Sequence, residues 1–313
     1  MNIQQIYKLA IELGVKNDFR PKAQIEKQLK RTKEKYEKST KEQKEVFDAE
    51  RLTNPYSDTR IHFDNGIKSI KKVMAGVDID TSEMMVARYL SNHNPKDPID
   101  LVICHHPIGK AYANLSDVMH MQADVLAQYG IPINIAESLM KLRIGEVSRG
   151  VSPENHFQVV DAARNLNVSL INVHTPADNL VAKFVESKLK KDKPEYVGDV
   201  LKSLLEIPEY KEAAHRGAGP MLFNGSEDNR AGKIALTEIT GGTSGSAKIY
   251  EKLAAAGIGT IISMHQSEEY RKEAEKYHIN VVIAGHISSD SIGMNLFLDE
   301  LEKKGIKILP ASG

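Results

Sequence analysis

Histidines close four apolar, strand-like runs of this sequence. The runs are Leu101–Cys104 before His105 and His106, Val168–Val173 before His174, Thr260–Met264 before His265, and Val281–Ala284 before Gly285 and His286. An aspartate follows two of these histidines at a spacing of four: Asp178 after His174 and Asp290 after His286. Open α/β sheets bind ligands at the carboxyl ends of their strands. Imidazole nitrogens and carboxylate oxygens gathered there make a metal site, and a donor set without thiolate suits Zn, Mn, Fe or Co. Cys104 lies inside its strand run and reads as packing rather than ligation.

Each segment has a plainer account beside the metal one. The pair His105-His106 sits just past a strand end, where Pro107 turns the chain out of the sheet. Such a pair suits two ions, one imidazole to each, although a lone buried histidine is more often a hydrogen-bonded core residue. Asp178 either caps the helix expected over Asn179–Lys190 or bridges metal ions. Asp290 either answers the dipole of a helix starting near Ser288 or shares one helix face with His286 and binds one centre with it. Gly285 lets the backbone bend sharply out of its strand. Taken together the segments supply three imidazoles and two carboxylates at the same kind of strand end. Two ions sharing a carboxylate would use that count economically.

The elements that must position these groups alternate. Strands are expected at Lys72–Val77, Asp100–Cys104, Val168–Val173, Lys233–Ile239, Thr260–Met264, Asn280–Ala284 and Lys307–Leu309, with a further short one at Ile131–Ile135. Amphipathic helical patterns fill the spaces between them, and Pro194–Gly219 reads as irregular apart from a helical piece at Val200–Leu205. This alternation predicts an α/β fold: two similar lobes of mixed sheet flanked by helices. The expected divisions are an N-terminal helical arm over 1–66, a first lobe over 67–200 and a second over 201–313. The arm is rich in Lys and Glu between Lys22 and Arg51, which suits either a partner-contacting segment or a solvated helix held by i,i+4 ion pairs.

Bulk properties narrow the class. The 42 basic and 42 acidic residues balance, so no field favours nucleic acid or an anionic membrane. A single cysteine excludes an intrachain disulfide. No run approaches a membrane span, and Met1–Val15 lacks the apolar core of a secretory signal, so a cytoplasmic protein is expected.

An apolar strand ending His-His-Pro, a later His-Thr-x-x-Asp and a terminal Gly-His-x-x-x-acid resemble the NIF-three-like family, often labelled GTP cyclohydrolase I type 2 homologues. The run Lys72-Val73-Met74-Ala75-Gly76-Val77-Asp78 is similar to the family's first strand and its aspartate, and the Gly241-Gly242 turn before a helix also fits. The resemblance covers roughly residues 67–313. It implies a dinuclear metal centre in a cleft between two lobes, a hexameric ring, and metal-ligand roles for His105, His106, Asp178, His286 and Asp290. Asp290 departs from the family's usual glutamate. His174 lies 68 positions beyond His106, a long gap that implies extra helices shaping the cleft.

Around the centre, His265 is a candidate proton carrier or substrate contact, since imidazole titrates near neutrality. His174 is expected to orient Asp178 rather than to ligate. The turn Gly241, Gly242, Thr243, Ser244 and Gly245 is either a phosphate cradle or a plain tight turn. The expected function is a hydrolase dependent on two divalent ions and acting on a nucleotide-like or phosphoester substrate. The alternative is a non-catalytic metal-binding ring scaffold or regulator.

Overall fold

The computed structural model describes residues 1–313. The helices are α1 (Ile3–Asn17), α2 (Lys22–Glu37), α3 (Lys41–Glu45), α4 (Thr81–His93), α5 (Gly109–Ala113), α6 (Leu115–Val118), α7 (His120–Gln128), α8 (Ile133–Val151), α9 (Gln158–Leu166), α10 (Thr175–Asp192), α11 (Val197–Leu205), α12 (Pro208–His215), α13 (Ile249–Ala255), α14 (Glu268–Lys276) and α15 (His286–Glu302). The strands are β1 (Arg60–Phe63), β2 (Lys72–Gly76), β3 (Leu101–Cys104), β4 (Ser169–Asn172), β5 (Met221–Asn224), β6 (Lys233–Glu238), β7 (Ile258–Ser263), β8 (Asn280–Ile283) and β9 (Lys307–Pro310). They form a five-stranded sheet in the order β1-β4-β3-β2-β9 and a four-stranded sheet in the order β5-β8-β7-β6.

The two sheets follow one plan. In each, parallel strands carry the site segments, and one antiparallel strand closes the edge: β1 beside β4, and β5 beside β8. Side chains alternate across each sheet with period two. Val73, Ala75, Leu101, Ile103 and Ile171 face α1, α10 and α15, while Met74, Val102, Cys104 and Leu170 face α4 and α9. In the second sheet Leu236, Ile262 and Val282 face α10, α11 and α12, and Ala235, Ile261 and Val281 face α7, α8, α13 and α14. Helices α10 and α15 pack on each other and contribute to the cores on both sheets. Each fully buried Val, Leu or Ile stabilises this arrangement by about 1.5–3 kcal/mol.

The divisions expected at 66 and 200 do not describe the molecule. Helix α1 buries Ile3, Ile6 and Ala10 in the first lobe, and β1 is that lobe's edge strand, so most of the expected arm is part of the body. Helices α2 and α3 keep the solvated character read from the sequence, with Ile25 their one buried residue. The last strand, β9, crosses back to pair with β2 in the first sheet. The inserted helices α7 and α8 do the reverse and cover the second sheet. Ile131–Ile135 is not a strand, because Pro132 sets the N-terminus of α8 there. In the stretch read as irregular, α12 forms, with Pro208 opening it, and β5 follows just beyond that stretch. The membrane expectation agrees in one respect: no helix is long and apolar enough to cross a bilayer.

Gly293 of α15 lies against the carbonyl of Ala177 in α10 so closely that no β-carbon fits between them. Replacing Gly293 by alanine should therefore force α10 and α15 apart and lower stability by about 1–3 kcal/mol. Urea denaturation followed by circular dichroism measures this; an unchanged midpoint would mean the helix pair is not tightly coupled.

Candidate metal centre

The strand ends deliver the histidines. His105 and His106 leave β3 in a bend, and their backbone N–H groups donate to the carbonyls of Gly76 and Val77. That bend brings both rings toward one cavity, with centroids 5.3 Å apart. His174 stands at the start of α10 and His286 is the first residue of α15. Gly285 makes the sharp exit from β8 with φ +109°, a conformation that favours glycine. Asp178 lies within the first turn of α10 and is not its cap, and Asp290 lies one turn into α15.

The two carboxylates straddle one imidazole. His105 Nε2 is 3.4 Å from Asp178 Oδ1 and 3.4 Å from Asp290 Oδ1. The other ring nitrogen, Nδ1, faces the Val173 carbonyl at 3.0 Å. A carbonyl only accepts, so Nδ1 carries the hydrogen, and Nε2 of the neutral ring is a lone pair aimed at two further acceptors. His105 Nε2, Asp178 Oδ1 and Asp290 Oδ2 are all buried without a hydrogen-bond partner. Buried polar atoms rarely stay unpaired. A cation at this point, a proton or a metal ion, resolves the conflict.

The other imidazoles are oriented in the same sense. His106 Nδ1 contacts Asp78 at 2.6 Å, leaving Nε2 3.3 Å from Asp290 Oδ2. His174 Nδ1 contacts Asp58 at 2.7 Å, leaving Nε2 3.9 Å from Asp178 Oδ2. His286 Nε2 is 3.5 Å from Asp290 Oδ2, and its side chain is 42% exposed, at the mouth of the site. A carboxylate or carbonyl on Nδ1 is the arrangement that fixes a metal-binding histidine's tautomer and ring orientation. Two groups have donor atoms close enough to hold an ion: His105, His174 and Asp178, and His105, His106 and Asp290. His105 has one free lone pair, so it completes only one of the two at a time.

Electrostatics follow from this crowding. Burial alone pushes the His105 imidazole down, but the carboxylates of Asp290 and Asp178 close to Nε2 outweigh it, so its pKa is raised well above 6.5. Burial pushes the Asp290 carboxyl up, yet His105, His106 and His286 together hold it far below the usual carboxylate range. Burial and neighbouring imidazoles hold His265 and His286 below the usual value.

All five residues expected as ligands meet here, and the sequence reading undervalued others. His174 is part of a candidate ion group, and the partner that orients it is Asp58, which also accepts from Thr175 Oγ1 at 2.6 Å. Asp58 precedes the segment read as belonging to the fold, and nothing local marks it. His265 lines the cavity; its Nδ1 contacts Ser244 Oγ at 3.2 Å, and its ring lies 4.9 Å from that of His286. Glu238, unnoticed in the sequence, lines the same cavity, and burial pushes its carboxyl up to about 7.

The glycine turn has a structural explanation. Gly241 and Gly242 have φ +91° and +97° and lie against Gln122, Met121, Met119 and Val118 of α6 and α7 with no room for a β-carbon to settle freely. Gln122 Nε2 donates to the carbonyls of Gly241 and Thr243. Close packing therefore accounts for these glycines without a phosphate.

Solved structures share this fold. A NIF3 superfamily protein from Sphaerobacter thermophilus matches with a TM-score of 0.69 and 25% identity, over 82% of this chain and 91% of that one. Reduced HcgD from Methanocaldococcus jannaschii matches with a TM-score of 0.51 and 18% identity, over 86% of this chain and 94% of that one, a likeness of fold alone. No protein-family model matches the sequence, and no curated protein does. The chain is thus similar to NIF3 superfamily proteins and shares their two-lobed α/β fold.

A metal ion bound here must displace the proton held on His105. Zinc affinity should therefore rise with pH until the raised His105 pKa is passed, and calorimetry in buffers of different ionisation enthalpy should show at least about one proton released per ion. Binding without proton release would contradict the assignment of His105 Nε2. In the metal-free chain the signs oppose one another. The raised His105 pKa stabilises fully below about 6.5 and is lost as pH rises through the folded value. The depressed Asp290 pKa stabilises above about 3.9 and is lost as pH falls toward its folded value. Together they place the pair's largest contribution between those limits, as thermal midpoints across pH would reveal.

Proposed function

We propose that this protein is a dinuclear metal-dependent hydrolase acting on a phosphoester or nucleotide-like substrate. The observation that carries the reading is the set of inward-facing Nε2 atoms and unpaired carboxylate oxygens around His105. His105, His174 and Asp178 would hold one ion, and His106, His286 and Asp290 a second. When bound, such ions lower the pKa of a water and polarise the scissile bond.

The chain's own residues frame the reaction. The cavity beside the carboxylates is about 20 Å³, room for one water-sized group. Ser244 and His265 also line a wider polar pocket of about 440 Å³. Arg143, Lys248, Ser246 and Ser267 stand in that pocket, together with Glu146 and Glu269. A substrate body there, with its reacting group toward the carboxylates, would place phosphate oxygens near Arg143 and Lys248. His265, at the junction, is positioned to contact the leaving group. The expected ring assembly belongs to this reading, and sedimentation velocity measures it.

Elemental analysis should find two ions per chain after loading with Zn or Mn. His105→Ala and Asp290→Ala should each lose at least one of them, and hydrolysis of a model phosphodiester should fall by about 10³-fold or more. Full metal content with no turnover on phosphodiesters or nucleotides would favour the scaffold reading instead. Metal content unchanged in both variants would remove the centre altogether.

A further inference from the structure

We propose that Glu238 is the proton-holding carboxyl of this site, exchanging a proton with the reacting group bound beside it. The inference rests on the hydrolase reading above and adds a residue to it.

Three geometric observations support this role. First, Glu238 ends β6 and lines the cavity shared by Asp178, Asp290, His265 and His286, and its Oε1 is buried with no partner. An acceptor left open in a site of this kind is available to an incoming O–H. Second, Ser263 lies between Glu238 and a carbonyl. Its Oγ is 2.7 Å from the His265 carbonyl oxygen and 3.2 Å from Glu238 Oε2. A hydroxyl has one hydrogen, and the shorter contact to an obligate acceptor takes it. The longer contact is then satisfied when the carboxyl itself carries a proton and donates to Ser263 Oγ. Third, the framework does not require an acid here. Glu238 pairs with Ser263 across β6 and β7, as Gly76 pairs with Cys104 across β2 and β3. Cys104 Sγ contacts the His106 carbonyl just as Ser263 Oγ contacts that of His265. The first sheet thus builds the same corner with a glycine at the equivalent position.

The surroundings suit a group that changes charge. Ser263, the backbone N–H of Gly245 and the cation of Arg143 in α8 pull the carboxyl down. Tyr250 of α13 and Tyr270 of α14 face it from the helices, and His265, Asp178, Asp290, His174 and His286 from the cavity. Desolvation outweighs all three and pushes the carboxyl up to about 7.

In the hydrolytic step the ionised form of Glu238 takes one proton from a water at Oε1 as the water oxygen bonds to the substrate phosphorus, which leaves the carboxyl protonated. Glu238 returns that proton to the leaving oxygen as the phosphorus–oxygen bond to it breaks. No oxidant or further reactant is needed.

Infrared or NMR titration of protein labelled at glutamate carboxyl carbons tests the proton directly, with Glu238→Gln providing the assignment. One carboxyl titrating within about one unit of 7, and missing in the variant, is expected; titration near the ordinary value of about 4.3 overturns the proposal. Glu238→Gln should keep wild-type zinc content and KM for a model phosphodiester while kcat falls by about 10²–10⁴-fold. Glu238→Asp should recover part of the rate. Loss of zinc in Glu238→Gln would make the residue a ligand and overturn the proposal, as would an unchanged kcat. A wild-type protein that binds zinc but turns over nothing sinks the hydrolase reading, and the titration then judges the Glu238 proton by itself.

Discussion

Two carboxylates and an imidazole lone pair cannot share a dry cavity without a positive charge among them. Asp178 and Asp290 stand at equal distance from His105 Nε2, all three are buried, and the Val173 carbonyl commits the other nitrogen of His105 to donation. Leaving buried charges unpaired costs several kcal/mol each. The fold must therefore either supply a cation here or lose stability, and much of the architecture serves to hold these groups in place against that cost.

The holding is done from both lobes. Asp178 rises from the first turn of α10 and Asp290 from one turn into α15, and these helices pack on each other between the sheets. Asn179, next to Asp178, accepts from Thr240 Oγ1 at 2.6 Å and so ties α10 to the glycine turn of the second lobe. Gln122 and Arg143, from the helices inserted between His106 and His174, hold the carbonyls of that same turn. The long insertion noticed in the sequence is thus a brace across the cleft. The N-terminal segment contributes in the same way, through Asp58 on His174 and Thr59 on its backbone N–H.

The lobes share a plan but divide the chemistry. The first supplies His105, His106 and His174, each with its Nδ1 occupied and its Nε2 turned inward. The second supplies His286 and Asp290, and adds His265 and Glu238 at the corresponding strand ends. An open polar pocket adjoins the second side.

Much of this was legible from residue order alone. Continuous apolar runs ending in His marked the strands and their functional ends, because a buried parallel strand needs apolar residues on both faces and its carboxyl end is where the chain leaves the sheet. The i,i+4 spacing of His and Asp survived translation into structure because both pairs ride on single helices. Other features had no local signature. Strand β9 joins the first sheet from the far end of the chain, Asp58 meets His174 across more than a hundred residues, and the lone glutamate at 238 looks like any other charged residue. Burial and long-range pairing decide those cases, and both arise only when distant segments pack. The sequence by itself determined which atoms can bind a cation; tertiary packing decided which of them share one cavity, since only packing excludes the water that would otherwise satisfy each of them separately.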